Sequence, residues 1–421
     1  MTATQKIMCA KAGLEKAEAG DLIECSLDLV FGNEVMTPIA INEFYATNAT
    51  EVFDRDRVVI IPDHFIPNCD IASAHLAKVT RDFAADMNLT HYFEIGRGGI
   101  EHALLPEKGF IKPGMVVIGA DSHSCTHGAL GAFATGVGAT DFAVAMATGK
   151  AWFRVPEAIK ITFTGSFSPM VSGKDAALYI IGMLGVDGAR YASIEFDGNI
   201  AAISMDDRFT IANMMVEAGA KNTFFPVDDI AAEYLHTHGV TGGTSYTTGS
   251  DDEYIANYTV ELDKLPIMVA YPHLPENVRD IQTAVKGHIK IDQVVIGSCT
   301  NGRITDMRRA AQILKGQKIA NNVRCIIFPA TQEIWLQCVK EGLMDIFAQA
   351  GAVVSAPTCG PCFGGHFGIL DEGEKCLSTT NRNFVGRMGH KKSEVYLSSP
   401  AVAAMTAITG YISDPREGGV L

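Results

Sequence analysis

The sequence predicts an α/β fold with largely parallel sheets, and three observations carry that expectation. First, strand-length apolar runs repeatedly end in Gly, Asp or Ser. Val58–Ile61 leads into Pro62-Asp63-His64, and Met115–Ile118 into Gly119-Ala120-Asp121-Ser122-His123. Val294–Ile296 leads into Gly297-Ser298-Cys299, and Arg324–Phe328 into Pro329-Ala330-Thr331. Second, helical stretches such as Asp141–Trp152 and Thr305–Leu314 lie between these runs, the alternation expected of parallel sheets covered by helices. Third, 421 residues exceed what one hydrophobic core holds. Boundaries near 160 and 285 divide the chain into 1–160, 161–284 and 285–421, the first carrying the Asp-His corners, the second Asn213 and Glu217, the third the Cys and Arg motifs.

Composition narrows the function. Apolar residues make up 47% and charged residues 19%, enough for a large interior and against disorder. The net charge of −14 and the lack of a basic run argue against a nucleic-acid binder. An anionic substrate must then be held by local Arg or Lys groups. The first twenty residues have neither a signal-peptide nor a transit-peptide layout, and no apolar run approaches a membrane span. A soluble, cytoplasmic protein is expected, so the ten cysteines are not expected to form a disulfide framework.

In folds of this class ligands sit beyond the carboxyl ends of the strands, so the polar corners are candidate sites. Cys359-Gly360-Pro361-Cys362 forms a tight turn that aims two sulfurs at one point, and Gly364 and Gly365 permit close backbone approach. Cys299 follows a strand, and its small neighbours Gly297 and Ser298 leave room for a bulky inorganic group. A structural zinc site wants four closed ligands, and a redox C-x-x-C pair has no use for Cys299. A cubane cluster on three thiolates leaves one iron open as a Lewis acid. The chain has no second C-x-x-C, which favours the open, catalytic arrangement.

Asp63-His64, His102 and Asp121-Ser122-His123 place imidazoles at loop or strand ends, suited to proton transfer near neutral pH with a carboxylate to orient the ring. Arg382 and Arg387, in the loop Asn381-Arg382-Asn383-Phe384-Val385-Gly386-Arg387, fit the forked capture of a carboxylate. Asn213 and Glu217 stand four apart in the helical stretch Ile211–Ala220 and should share a face. The apolar residues around them imply that Glu217 is buried and needs a partner.

Together these motifs resemble the aconitase superfamily, and within it the large subunits of the 3-isopropylmalate dehydratase and homoaconitase group. The resemblance runs from Thr4-Gln5-Lys6-Ile7 to Tyr411–Glu417. Its most specific parts are the segment from Asp121 to Gly138, Gly297–Arg303, the Cys359 turn and Asn381–Phe384. It implies three α/β/α domains around a central 4Fe–4S cluster on Cys299, Cys359 and Cys362. It implies that Asp63-His64 protonates a departing hydroxyl, and that His102, Asp121 and His123 assist the bound water. Asn213 and Glu217 would lie against the cluster and water. Ser122, Asn381, Arg382 and Arg387 would hold the substrate or the cluster sulfurs. The expected reaction is isomerisation of 2-isopropylmalate and 3-isopropylmalate by dehydration and rehydration, in leucine biosynthesis. The rivals are homoaconitase or another substituted-malate hydro-lyase and, more distantly, an RNA-binding regulator.

Two positions depart from the family pattern. Ile39 stands where Gln is frequent, and Ser124 replaces Thr but keeps a hydroxyl. The Gly-Ser-Ser-Arg loop of the swivelling domain of one-chain aconitases is absent from the sequence. The resemblance therefore implies a separate small subunit that supplies the base and a specificity loop for a small di- or tricarboxylate.

Overall fold

The structure, a computed structural model, describes residues 1–418. Three open sheets dominate it. The first has the order His91–Tyr92, Val58–Ile60, Leu29–Gly32, Val116–Gly119, Phe133–Gly136, all parallel. The second runs Asn222–Phe224, Ser193–Gly198, Ala158–Thr164, Ala256–Glu261, again all parallel. The third has seven strands. Glu394–Ser398, Lys375–Ser378, Gln293–Gly297, Arg324–Phe328 and Val353–Val354 are parallel, and Met268–Ala270 and Val278–Asp280 extend one edge antiparallel. A two-stranded ribbon pairs Leu22–Ser26 with Lys150–Arg154.

The central strands are buried along their whole length, as in Val116–Gly119 and Gln293–Gly297, which is why they read as continuous apolar runs and not as alternating ones. One core joins the second and third sheets to one face of the first, and another fills the opposite face of the first sheet around Phe44, Ile60, Phe83 and Phe142. A small third cluster, Ile100, Ala103, Cys299, Ala330, Cys359 and Cys362, lies at the cysteines. Among the described residues no helix is long and apolar enough to cross a membrane.

The expected helix Asp141–Trp152 is shorter. It runs Ala139–Thr148 and stops at Gly149, whose left-handed φ of 67° caps it. The chain then turns into the strand Lys150–Arg154, and Trp152, 70% exposed, sits on the ribbon.

Candidate active site

Polar corners at the carboxyl ends of the first and third sheets meet across one cavity of about 680 Å³. Leu29–Gly32 delivers Asn33 and Glu34, Val58–Ile60 delivers Asp63 and His64, and Val116–Gly119 delivers Asp121, Ser122 and His123. The third sheet delivers Cys299 after Gln293–Gly297, and Asn381 and Arg382 after Lys375–Ser378. Asp63, His64, His102, Asp121, Ser122, His123, the three cysteines, Asn381, Arg382 and Arg387 all line this cavity.

Three imidazole–carboxylate pairs put their rings on its wall. His64 Nδ1 donates to Asp63 Oδ1 at 2.5 Å, His102 Nε2 to Asp121 Oδ1 at 2.8 Å, and His123 Nε2 to Glu217 Oε1 at 2.8 Å. Two of these partners are far apart in sequence. Asp121 caps a 3-10 helix, Ser122–Leu130, by accepting from the His123 N–H. That turn places His123 Nε2 on Glu217, while its Nδ1 stays 3.4 Å from Asp121 Oδ1, the oxygen that also accepts from His102. Asp121 lies well below the usual carboxylate range. Burial opposes this, and the bonds from His102 and His123 outweigh it. His64 is raised well above the usual histidine range. Burial favours the neutral ring, but the charges of Asp63, Asp121 and Glu34 outweigh it.

The Asp63-His64 corner is set by Glu34, which no sequence motif pointed to. Its carboxylate is fully buried and accepts from the backbone N–H groups of Asp63 at 2.9 Å, His64 at 2.8 Å and Phe65 at 2.5 Å. Glu101 lies beside Asp63, whose Oδ2 accepts from the Glu101 backbone N–H at 2.9 Å, and its carboxylate is bonded by Asn33 Nδ2 at 3.0 Å. Burial first, then the nearby charges of Asp63 and Asp121, raise the Glu101 carboxyl well above its usual range. The same corner anchors the cysteine turn. The Asp63 carbonyl accepts from the Cys359 N–H at 2.8 Å and from Thr358 Oγ1 at 2.9 Å.

Donors surround the sulfurs. Asn213 Nδ2 and Asn381 Nδ2 donate to Cys299 Sγ at 3.3 and 3.4 Å, and Arg387 Nη2 points at Cys362 Sγ from 3.8 Å. The contact between the two thiols holds Cys362 well below the usual thiol range, with Arg387 adding to it, and raises Cys359, as burial also does. Three buried thiols, two of them with N–H groups aimed at the sulfur, and among the described residues no fourth cysteine on the cavity wall, suit a metal group held by thiolates on three corners and open on the fourth.

Several sequence expectations change in detail. Asn213 and Glu217 do not share a face of one α-helix. The α-helix Met205–Met214 tightens into a 3-10 turn, Met215–Ala218, which Gly219 ends at φ 88°. Asn213 therefore reaches Cys299, while Glu217 turns to His123 and Arg382. Both are buried, and Arg382 Nε bonds the two Glu217 oxygens at 2.8 and 3.0 Å. His123 and Arg382 hold the Glu217 carboxyl below its usual range against the effect of burial.

Gly297 is small for another reason than the one expected. A Cβ there would lie 2.2 Å from the Phe328 carbonyl of the adjacent strand, and φ is 140°, so the glycine serves sheet packing and not the space beside Cys299. Ile39 is 53% exposed and does not line the cavity, whereas Val35 and Met36 do. Ser124 Oγ donates to the Asp121 carbonyl at 2.7 Å.

The model of the aconitase family (aconitate hydratase) matches residues 5–410. The 3-isopropylmalate dehydratase large subunit of Clostridium kluyveri is 60% identical over 418 residues, covering 99% of each chain. That of Acetivibrio thermocellus is 57% identical, again covering 99% of each. Among solved structures, the holo-form of Thermococcus kodakaraensis aconitase X superposes with a TM-score of 0.53 over 92% of each chain, at 12% identity, a likeness of fold alone. A family match across nearly the whole length, with relatives this similar from end to end, shows that this chain belongs to the aconitase family.

Proposed function

We propose that this chain is the cluster-bearing large subunit of a 3-isopropylmalate dehydratase, a hydro-lyase that interconverts 2-isopropylmalate and 3-isopropylmalate by removing and re-adding water. The observation that carries this reading is the meeting, in one cavity, of three buried thiols and three carboxylate-paired imidazoles. The names of the most similar relatives support the substrate. The three larger sheets support three domains, with the second boundary moved toward 265 because Met268–Ala270 already belongs to the third sheet.

Cys299, Cys359 and Cys362 would hold a 4Fe–4S cluster, which supplies a Lewis acid for a hydroxyl and a carboxylate oxygen when bound. Asn213 and Asn381 would hold the Cys299 sulfur through the N–H bonds described above. His64, kept protonated by Asp63, would give its proton to the departing hydroxyl. His102, aligned by Asp121, and His123, aligned by Glu217, would orient the water and carry its proton. The Nη atoms of Arg382 and Arg387, with Ser122 on the wall of the same cavity, would bind the substrate carboxylates.

Dehydration also needs a base on carbon. The relatives are named large subunits, which supports a separate small subunit that brings that base and the loop selecting the side group. The test is turnover by the iron-loaded complex on isopropylmalate, homocitrate and citramalate. Isopropylmalate should be preferred by at least about tenfold, a margin of roughly 1.4 kcal/mol. A preference for homocitrate would overturn the substrate, and no turnover of any of the three would overturn the function.

A further inference from the structure

Lys174 is a buried cation that the reaction outlined above does not use. It stands in the first turn of the helix Gly173–Leu184, packed against the third sheet, and is 0% exposed. Its Nζ donates to the carbonyls of Thr379 at 2.7 Å and Thr380 at 2.5 Å, and among the described residues no carboxylate bonds it. These two carbonyls immediately precede Asn381, whose amide touches the sulfurs of both Cys299 and Cys362. Thr379 also ties the segment to the Cys299 corner, since its Oγ1 accepts from the Gly297 N–H at 2.9 Å and donates to the Gly297 carbonyl at 3.0 Å.

Two neutral carbonyls poorly repay the desolvation of a full charge. Burial pulls the Lys174 ammonium down to about 7. Asp306 opposes it first, followed by the thiols of Cys299 and Cys362. Asp306 is itself pushed up to about 7 by burial. The sulfurs are the neighbours that gain negative charge when a metal group binds, because ligating thiols lose their protons. A cation fastened to the segment that carries Asn381 to the sulfurs compensates that charge, and the charge around a cluster is one of the terms that set its reduction potential.

We infer that Lys174 is the buried counter-cation of the cluster site, and a positioning residue that fastens the Thr379–Thr380 segment so that Asn381 and Arg382 face the cavity. This rests on the cluster reading proposed above. The ammonium does not touch substrate. It acts through the backbone of the Asn381 loop and through its field on the thiolates.

The experiment uses the complete complex, purified without oxygen, with Lys174→Met, Lys174→Gln and Lys174→Arg. Met removes both donor and charge, Gln keeps a donor, and Arg keeps the charge. Iron and acid-labile sulfide are measured first. The midpoint potential of the three-iron form, made with ferricyanide as oxidant, is then titrated by EPR, and the loss of activity in air is timed. Met and Gln should both move the midpoint to more negative values and speed aerobic inactivation severalfold, while Arg stays near the parent. A bound cluster with an unmoved midpoint in Gln and Met would overturn the inference. A shift in Met without one in Gln would also overturn it, leaving only a hydrogen-bonded staple. If the Met variant does not accumulate, the Gln and Arg pair decides alone. A parent complex with neither iron nor sulfide would overturn the cluster reading and this inference together, whereas a loaded parent with unmoved variants overturns only this inference.

Discussion

Replacing Arg382 by Lys tests whether this guanidinium serves two carboxylates at once. In the parent, Nε is spent on Glu217, at 2.8 and 3.0 Å from its two oxygens, and among the described residues nothing bonds the two Nη atoms. On the reading proposed above, those atoms bind a substrate carboxylate. Lysine brings a single ammonium to both tasks. If it stays on Glu217, the substrate loses the fork. If it turns to the substrate, Glu217 is left buried with only His123 as partner. Either way one charge-assisted bond is lost, worth about 1.5–3 kcal/mol, or roughly 10–150-fold in kcat/KM. Cluster content should not change, because the donors near the sulfurs are Asn213, Asn381 and Arg387. The assay is initial rate against isopropylmalate concentration in the complex with the small subunit, with iron measured on the same preparation. A fully iron-loaded variant with kcat/KM within about threefold of the parent would refute the reasoning, since roughly 0.6 kcal/mol is less than one such bond.

Cys359→Ser should remove most of the iron, sulfide and visible absorbance together with activity, and a brown, active variant would sink the ligand assignment. Glu34→Gln keeps one acceptor for the three N–H groups of Asp63, His64 and Phe65 but turns an amide toward the rest. It should destabilise the corner by about 1–3 kcal/mol and lower both kcat and the melting temperature; an unchanged melt and kcat would count against Glu34 as the corner's organiser. Asp63→Asn removes the leading group that keeps His64 protonated. Because the folded-state value of His64 is raised, its stabilising contribution is complete below its unfolded value of about 6.5 and is lost as pH rises through the folded value. The alkaline limb of the kcat profile should therefore move toward acid in Asp63→Asn, and an unmoved limb would exclude His64 as the donor.

Much of this site was legible because parallel sheets collect chemistry at one end of their strands. A run such as Val294–Ile296, followed at once by Gly, Ser and Cys, states both the strand and its working corner. The same holds for Asp63-His64 and Asp121-Ser122-His123. Pairing was not legible, because hydrogen-bond partners depend on how one sheet is turned against another. The carboxylate nearest His123 in sequence is Asp121, yet the ring bonds Glu217, 94 residues away. Glu34, between Asn33 and Val35, and Lys174, between Gly173 and Asp175, read as ordinary strand and helix flanks. What they bond is backbone, Asp63–Phe65 for Glu34 and Thr379–Thr380 for Lys174, and backbone leaves no signature in residue types.

Those two buried charges also explain how the halves of the site keep their spacing. Glu34 ties the Asp63-His64 corner to the strand beside it, and the Asp63 carbonyl passes that geometry to the Cys359 turn. Lys174 does the same from the second sheet's side, through the carbonyls that lead to Asn381. The imidazole corners and the sulfurs thus share backbone, so the distance between them is set by main-chain groups bonded to one another and to two buried side chains. An arrangement of this kind would serve the reaction proposed above, in which a hydroxyl is held on the thiol side while a proton arrives from the imidazole side, because any drift of about 1 Å between the two would reduce the rate by as much as 100-fold.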